Sequence, residues 1–198
     1  MAPRPDVSEE RRSQIVESAV KVFSRKGFAN TRMDDVAGEA GLSKGLLYWY
    51  FKSKDEIIVA IADALFSAHL RRLQGRTAQG PTARANLESV LELFIKDTRG
   101  LLKVAPLIHE LYALAYRNAA VRRAMQGYLD QFVATLEPLI ERGMASGEFV
   151  PGDARQIALA IGANLEGTLL LWAYAPKMVQ VEAQARAGMA LLLRGLEA

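Results

Sequence analysis

The chain has 198 residues, 51% of them hydrophobic, which is enough for a sizeable core and excludes global disorder. It contains no cysteine and only two histidines, His69 and His109, so a disulfide frame, thiolate chemistry and a metal cluster with ligand spacing are excluded and a reducing cytoplasm is expected. The net charge is a modest +3, but 13 Lys and Arg stand against 10 Asp and Glu through Arg76 and 12 against 12 beyond it. The whole excess is N-terminal, which points to an anionic partner for that segment and none for the rest.

The first residues, MAPRPDVSEE, hold no apolar run of the signal-peptide kind. Period-two runs of β-branched residues are nearly absent while Ala, Leu, Glu, Arg and Gln dominate, so an all-α protein of about nine helices is expected. Ser8, followed by Glu9 and Glu10, reads as the cap of a first helix over about 8–26, with Ile15, Ala19, Val22 and Phe23 on its apolar stripe and Gly27 ending it. Thr31 reads as the cap of a short second helix, RMDDVAGEA, ended by Gly41, and Ser43 as the cap of a third, Lys44 to Phe51. Ser53 with Glu56 three residues on is a capping box that opens a fourth helix of about 20 residues. The stretch QGRTAQGPT, 74–82, is the clear linker. Five more helices are expected over roughly 82–99, 104–116, 118–145, 153–174 and 179–196. Gly100 with Pro106, Asn118, SGEFVPGD and Pro176 separate them, and Pro138 kinks or divides the third.

The stretch GLSKGLLYWYFKSKDE sets Tyr48, Trp49, Tyr50 and Phe51 side by side between Lys44 and the pair Lys52 and Lys54. Four consecutive aromatics on a helix point in all directions, so a core can take only some of them. The second helix, the tight AGLS turn and the third helix have the proportions of a helix-turn-helix, whose second helix reads DNA in the major groove. Small residues at Ala37, Ala40 and Gly45 allow the two helices to approach closely. Leu42, Leu47 and Phe51 then go to the core, leaving Lys44, Leu46, Tyr48, Trp49 and Tyr50 on or near the outer face.

These residues resemble the TetR family of bacterial transcriptional regulators. The resemblance is carried by Ala19 and Phe23, Gly27 and Phe28, Thr31, Val36 and Ala37, Ala40 through Ser43, Gly45, Leu47, Tyr48, Tyr50 and Phe51, Lys54 and Ile57, and covers about residues 8–57. It implies a three-helix DNA-binding domain over 1–53 and a helical effector-binding and dimerisation domain over 54–198. It also implies that Thr31, Arg32, Ser43, Lys44, Tyr48, Tyr50 and Lys54 meet the phosphate backbone, while Lys44, Gly45, Leu46 and Trp49 lie where family members reach base edges. The side-chain chemistry agrees, since hydroxyls and ammonium groups suit phosphate oxygens, Lys44 can donate to guanine and Leu46 can touch a thymine methyl. Leu46 is apolar where relatives often carry Thr, and Trp49 is bulkier than the frequent Tyr.

In the C-terminal part, the longest apolar stretch, IALAIGANLEGTLLLWAYA, carries Asn164 and Glu166 near its centre and reads as a buried helix rather than a membrane span. Gly162 with Glu166 and Ala163 with Gly167 on this eighth helix, and Ala183, Ala187, Ala190 and Leu191 on the ninth, are low-relief faces suited to a homodimeric four-helix interface. Candidate effector-binding residues are His109, Tyr112 and Tyr116 on one helical stripe, Tyr128 and Phe132 on the next helix, and Asn164, Glu166 and Trp172 on the eighth.

No phosphate-cradling glycine loop or nucleophile elbow is present, and no catalytic residue or cofactor is expected. The reading is therefore a non-enzymatic, cytoplasmic repressor that binds an inverted-repeat operator in double-stranded DNA as a dimer. A small, largely apolar effector releases it, and no membrane is involved. Two other classes remain: a helical ligand-binding bundle with no DNA role, and an architectural DNA-binding protein without an effector. Salt-dependent duplex binding separates the first from this reading, and ligand-induced release separates the second.

Overall fold

The computed structural model describes residues 7–77 and 80–197; the first six residues, Ala78 and Gln79 of the expected linker, and Ala198 lie outside the described residues. The helices are α1 (Val7–Lys26), α2 (Met33–Glu39), α3 (Lys44–Tyr50), α4 (Lys54–Gln74), α5 (Ala83–Ala115), α6 (Ala119–Ala145), α7 (Ala154–Tyr174) and α8 (Val181–Leu196). Among the described residues, extended pairing is confined to one isolated bridge between Phe149 and Glu197.

The helix ends follow local chemistry. Gly41 has φ +65°, a conformation that disfavours side chains, and there the Leu42 N–H bonds the Ala37 carbonyl at 2.9 Å while the Gly41 N–H bonds that of Gly38 at 3.2 Å. Ser43 Oγ accepts the Leu46 N–H at 3.3 Å, as its sequence position suggested, and Ser53 Oγ accepts that of Glu56 at 3.2 Å. The Glu56 carboxylate reaches back to the Lys52 N–H at 2.7 Å. Two cap assignments differ from expectation. Val7 is already helical, so Ser8 lies inside α1 rather than capping it. Arg32, not Thr31, is the N-cap residue of α2; Thr31 is buried and its hydroxyl donates to the Gly27 carbonyl at 2.8 Å.

The stretches expected as separate helices over 82–99 and 104–116 form one helix, α5, with Pro106 inside it. Proline removes one backbone donor, but Leu107, Leu111 and Leu114 continue the buried stripe at helical spacing and carry the helix through. Pro138 likewise leaves α6 undivided.

The chain forms two compact units. The first takes residues up to Leu65 together with Pro106–Met125, so it holds α1, α2, α3, the start of α4 and the corner between α5 and α6. Ile15, Ala19, Phe23, Val36, Leu47 and Phe51 are buried in this unit, as are Ile57, Ile58 and Ile61. The second unit, Phe66–Ala105 and Gln126–Ala198, has its own core that includes Leu87, Phe94, Leu136, Ile161 and Met189.

Helix α7 is long and apolar enough to cross a membrane by length and composition alone. Its sequence suggested a buried helix, but only one face of it is buried. Ala158, Ile161, Gly162 and Leu165 are inside, while Leu170, Leu171 and Tyr174 are exposed. Gly162 belongs to the inner face, where an added Cβ would sit 3.0 Å from the Phe132 ring, so it cannot serve an outer interface as expected.

Candidate nucleic-acid interface

The site is built on α3, a helix of seven residues. A helix this short is held by its surroundings rather than by propensity. Leu47 and Phe51 are fully buried and fix its inner face. Its C-terminal carbonyls, which have no partners within the helix, are met by two cations. Arg12 donates to the Tyr50 carbonyl at 3.1 Å while its guanidinium lies 4.1 Å from the Phe51 ring centroid. Lys52 donates to the carbonyls of Tyr48 and Trp49 at 3.0 and 3.4 Å.

This anchoring leaves an unusual outer face. Trp49 is 63% exposed, Leu46 41% and Tyr48 37%, with the Trp49 and Tyr50 rings edge to face at 4.6 Å. Gly45 is also exposed and has open space where a Cβ would go, so it opens this face rather than bringing α2 and α3 together; Ala37 and Ala40 are the small residues that are buried. Lys44 heads the helix and pairs with Asp34 of α2 at 3.0 Å. That hydrogen bond raises the Lys44 pKa above the usual lysine value. Two further ion pairs, Arg25 with Glu39 and Lys26 with Asp35, tie α1 to α2. The Lys26 contact, followed by the Arg32 N–H, holds the Asp35 carboxyl below the usual carboxylate range.

The structure thus gathers Ser43, Lys44, Gly45, Leu46, Tyr48, Trp49 and Tyr50 on one short helix and its cap, with Arg32 exposed at the start of α2. Two of the residues expected to meet phosphate have partners within the chain. Thr31 is buried, with its hydroxyl turned to Gly27. The Lys54 ammonium is directed to the carbonyls of Phe28, Ala29 and Thr31. Sequence reasoning missed Arg12 as a brace for α3, because its partner Tyr50 is 38 residues away. Lys52 had a readable signal, a basic residue just beyond a helix C-terminus.

The candidate effector residues divide between the units. His109 and Tyr112 meet edge to face at 6.5 Å in the first unit, where Tyr116 is 90% exposed. In the second unit Tyr128 stacks on Phe66 at 4.3 Å and stands 6.4 Å from Phe132 and 6.1 Å from His69. His69 faces Asp97, which Arg72 holds at 2.9 Å, and burial pushes the His69 pKa below its usual value. Phe66 and His69 were not among the expected residues, although their spacing of three on α4 puts them on one face. Trp172 is partly buried against the core, Glu166 is exposed, and Asn164 lies against Gly188 of α8.

Two short helices joined by a glycine turn, the second braced from below and apolar, aromatic and basic above, define a helix-turn-helix protein. Comparison with known proteins agrees for both parts of the chain. Residues 15–61 match the family described as bacterial regulatory proteins, tetR family, and residues 81–197 match the BetI-type transcriptional repressor C-terminal domain. An HTH-type transcriptional regulator of Bacillus subtilis, YfiR, is 33% identical over 144 residues, 72% of this chain and 70% of that protein. The fold matches that of a transcriptional regulator from Saccharomonospora viridis in complex with choline, with a TM-score of 0.84 at 20% identity over 96% of this chain and 99% of that one. It also matches the regulator FadR from Bacillus subtilis in complex with stearoyl-CoA, with a TM-score of 0.80 at 23% identity over 93% and 99%. The chain belongs to the tetR family of bacterial regulatory proteins and is a DNA-binding transcriptional regulator.

Proposed function

We propose that the protein is a cytoplasmic repressor that binds an inverted-repeat operator as a homodimer and leaves it when a small, largely apolar effector binds the second unit. The single observation that carries the DNA reading is the outer face of α3, where Leu46, Tyr48 and Trp49 stand exposed on a helix whose inner residues are locked. Exposed aromatics on a rigid support suit base edges and sugar, and Lys44 supplies a donor for guanine or phosphate. Repression is supported by the description of the C-terminal family as a transcriptional repressor.

The homodimer is supported by the outer faces of α7 and α8, the eighth and ninth helices of the sequence reading. Leu170, Leu171, Tyr174 and Leu191 are exposed there beside Ala163, Ala183, Ala187 and Ala190, an apolar surface that a monomer would leave in water. A two-fold protein demands a two-fold site, hence the inverted repeat. The effector reading is supported by the stack of Phe66 on Tyr128 with Phe132 and His69 beside it, aromatic surface with one polar edge. Regulators of the same fold hold stearoyl-CoA and choline, so a small organic molecule in the second unit fits the architecture.

Selecting duplexes from a random pool with the purified protein tests the reading. The expected product is an inverted repeat with half-sites about one helical turn apart or slightly more. A coupling of about 1–3 kcal/mol between effector and operator changes operator affinity by about 5- to 150-fold, and saturating operator must weaken effector binding by the same factor. An apolar compound that binds the second unit yet leaves operator affinity unchanged is not the effector.

A further inference from the structure

The charge of the first unit does not lie where the sequence suggests. Through Leu65 the unit holds ten Lys and Arg against ten Asp and Glu, so α1, α2, α3 and the start of α4 are neutral as a group. Arg71, Arg72 and Arg76, which give the N-terminal segment its excess, belong to the second unit. The first unit becomes positive only through its other segment, Pro106–Met125, where Arg117, Arg122 and Arg123 stand against Glu110 alone. A unit that must approach a polyanion thus carries its surplus at the α5–α6 corner.

This corner is fixed against the DNA-binding helices. Glu110 Oε2 accepts the Phe28 N–H of the α1–α2 turn at 2.8 Å, and Asn118 Nδ2 donates to Asp55 Oδ2 in the first turn of α4 at 2.8 Å. Asn118 Oδ1 also accepts the Ala120 and Val121 N–H groups at 2.9 and 3.2 Å, and Leu114 and Val121 are buried on either side of the turn. The corner is therefore bonded beside the two places, before α2 and at the start of α4, where Arg32 and Lys54 are expected to meet phosphate.

Its outer residues are left to solvent. Tyr116 is 90% exposed, and Arg117, Arg122 and Arg123 are exposed with it. Arg122 donates to the Ala115 carbonyl at 2.9 Å, and among the described residues none of the three arginines has a carboxylate partner. No Asp or Glu occurs between Glu110 and Asp130. Asp55, Glu56 and Asp63 line a cleft together with Asn118 and Ala120, and the three arginines lie outside it. Arginine forks and a tyrosine hydroxyl on a rigid corner match phosphate oxygens.

We propose that the α5–α6 corner is a second DNA contact, at which Arg117, Arg122 and Arg123, with Tyr116 beside them, hold the phosphate backbone flanking the half-site that α3 reads. The proposal rests on the DNA-binding reading and extends it beyond the helix-turn-helix. Contacts of this kind carry no base information, so they add affinity and salt dependence without changing the selected sequence.

Two duplexes test it with the full-length protein, one ending at the inverted repeat and one extended by about one helical turn on each side. The wild type should bind the longer duplex more tightly and with a steeper salt slope, by about 0.9 for each added phosphate. The triple variant Arg117→Gln, Arg122→Gln, Arg123→Gln should lose that difference while keeping its affinity for the shorter duplex and its base preference. Equal slopes for wild type and variant on the longer duplex would overturn the proposal. Arginine-specific labelling of the wild type reads the same contact without a variant that has to fold. Bound to the longer duplex, Arg117 and Arg123 should react several-fold more slowly than in the free protein, while the exposed Arg71 is unchanged; labelling at the free rate would contradict the contact. A variant that instead loses binding to vesicles of anionic phospholipid, with no change on either duplex, would assign the patch to a membrane surface and refute the proposal. A wild type with salt-dependent affinity for neither duplex counts against the DNA-binding reading itself, whereas tight binding to both with unprotected corner arginines sinks the proposal alone.

Discussion

Lys44 Nζ lies 3.0 Å from Asp34 Oδ1, so a carboxylate of α2 shares the outer face with the first residue of the reading helix. DNA must take Lys44 from this partner and accept an acid near its backbone. Asp34→Asn should therefore tighten binding to operator and to scrambled duplex alike, by a similar factor, in anisotropy titrations at fixed salt. Lys44→Ala should act differently and relax preference at one base pair. Unchanged affinity in Asp34→Asn would place the pair away from the bound duplex.

His69 makes stability depend on pH. Burial, opposed by the Asp97 carboxylate and aided by the Arg72 guanidinium, lowers its pKa in the folded protein. The unfolded chain, titrating near about 6.5, then binds more protons in the window just below that value. Stability is fully present above about pH 6.5 and is lost as pH falls through the folded value. Thermal midpoints measured from pH 7.5 down to 5.5 should fall for the wild type and fall less for His69→Phe.

Helices α7 and α8 touch closely at Asn164 and Gly188, where an added Cβ would overlap the asparagine side chain. Asn164 Nδ2 is buried there without a hydrogen-bond partner among the described residues. Gly188→Ala should destabilise the fold by about 1–3 kcal/mol through overpacking. Adding Asn164→Ala should restore most of that, because it removes both the obstacle and an unsatisfied donor. Denaturant unfolding of the two single variants and the double variant measures the coupling, and strict additivity would show that the contact is not tight.

Much of the head was legible because its signals are local. Ser43, Gly27 and Gly41 mark helix ends through chemistry confined to a few residues, and Leu47 and Phe51 follow from a stripe four apart. What was not legible depends on distant partners. The carbonyls that Lys54 meets were hidden in the sequence because they lie in the α1–α2 turn, up to 26 residues from it. Pro106 misled for a related reason: the local rule against proline in a helix gives way when the leucines that follow it are buried. In the second unit the stripe of Tyr128 and Phe132 was visible, but Phe66 and His69 joined it only once α4 and α6 were placed together.

If α7 and α8 form the two-fold interface, a charge on their outer face should split the dimer without harming the monomer. Leu191 is 64% exposed, so Leu191→Asp disturbs no core. Gly167→Leu has open space above its backbone and tests the same face by bulk. Sedimentation should show monomers for both, with affinity for the inverted repeat lost in step. A variant that stays dimeric places the interface elsewhere.

If the exposed face of α3 reads duplex DNA, the affinity of the wild-type protein for a selected duplex must respond as salt is raised. The logarithm of the affinity should fall linearly with the logarithm of salt concentration, by about 0.9 for each phosphate neutralised, and the selected sequence should be an inverted repeat. Affinity that is absent for every duplex, or that does not change with salt, would mean that α3 does not read DNA.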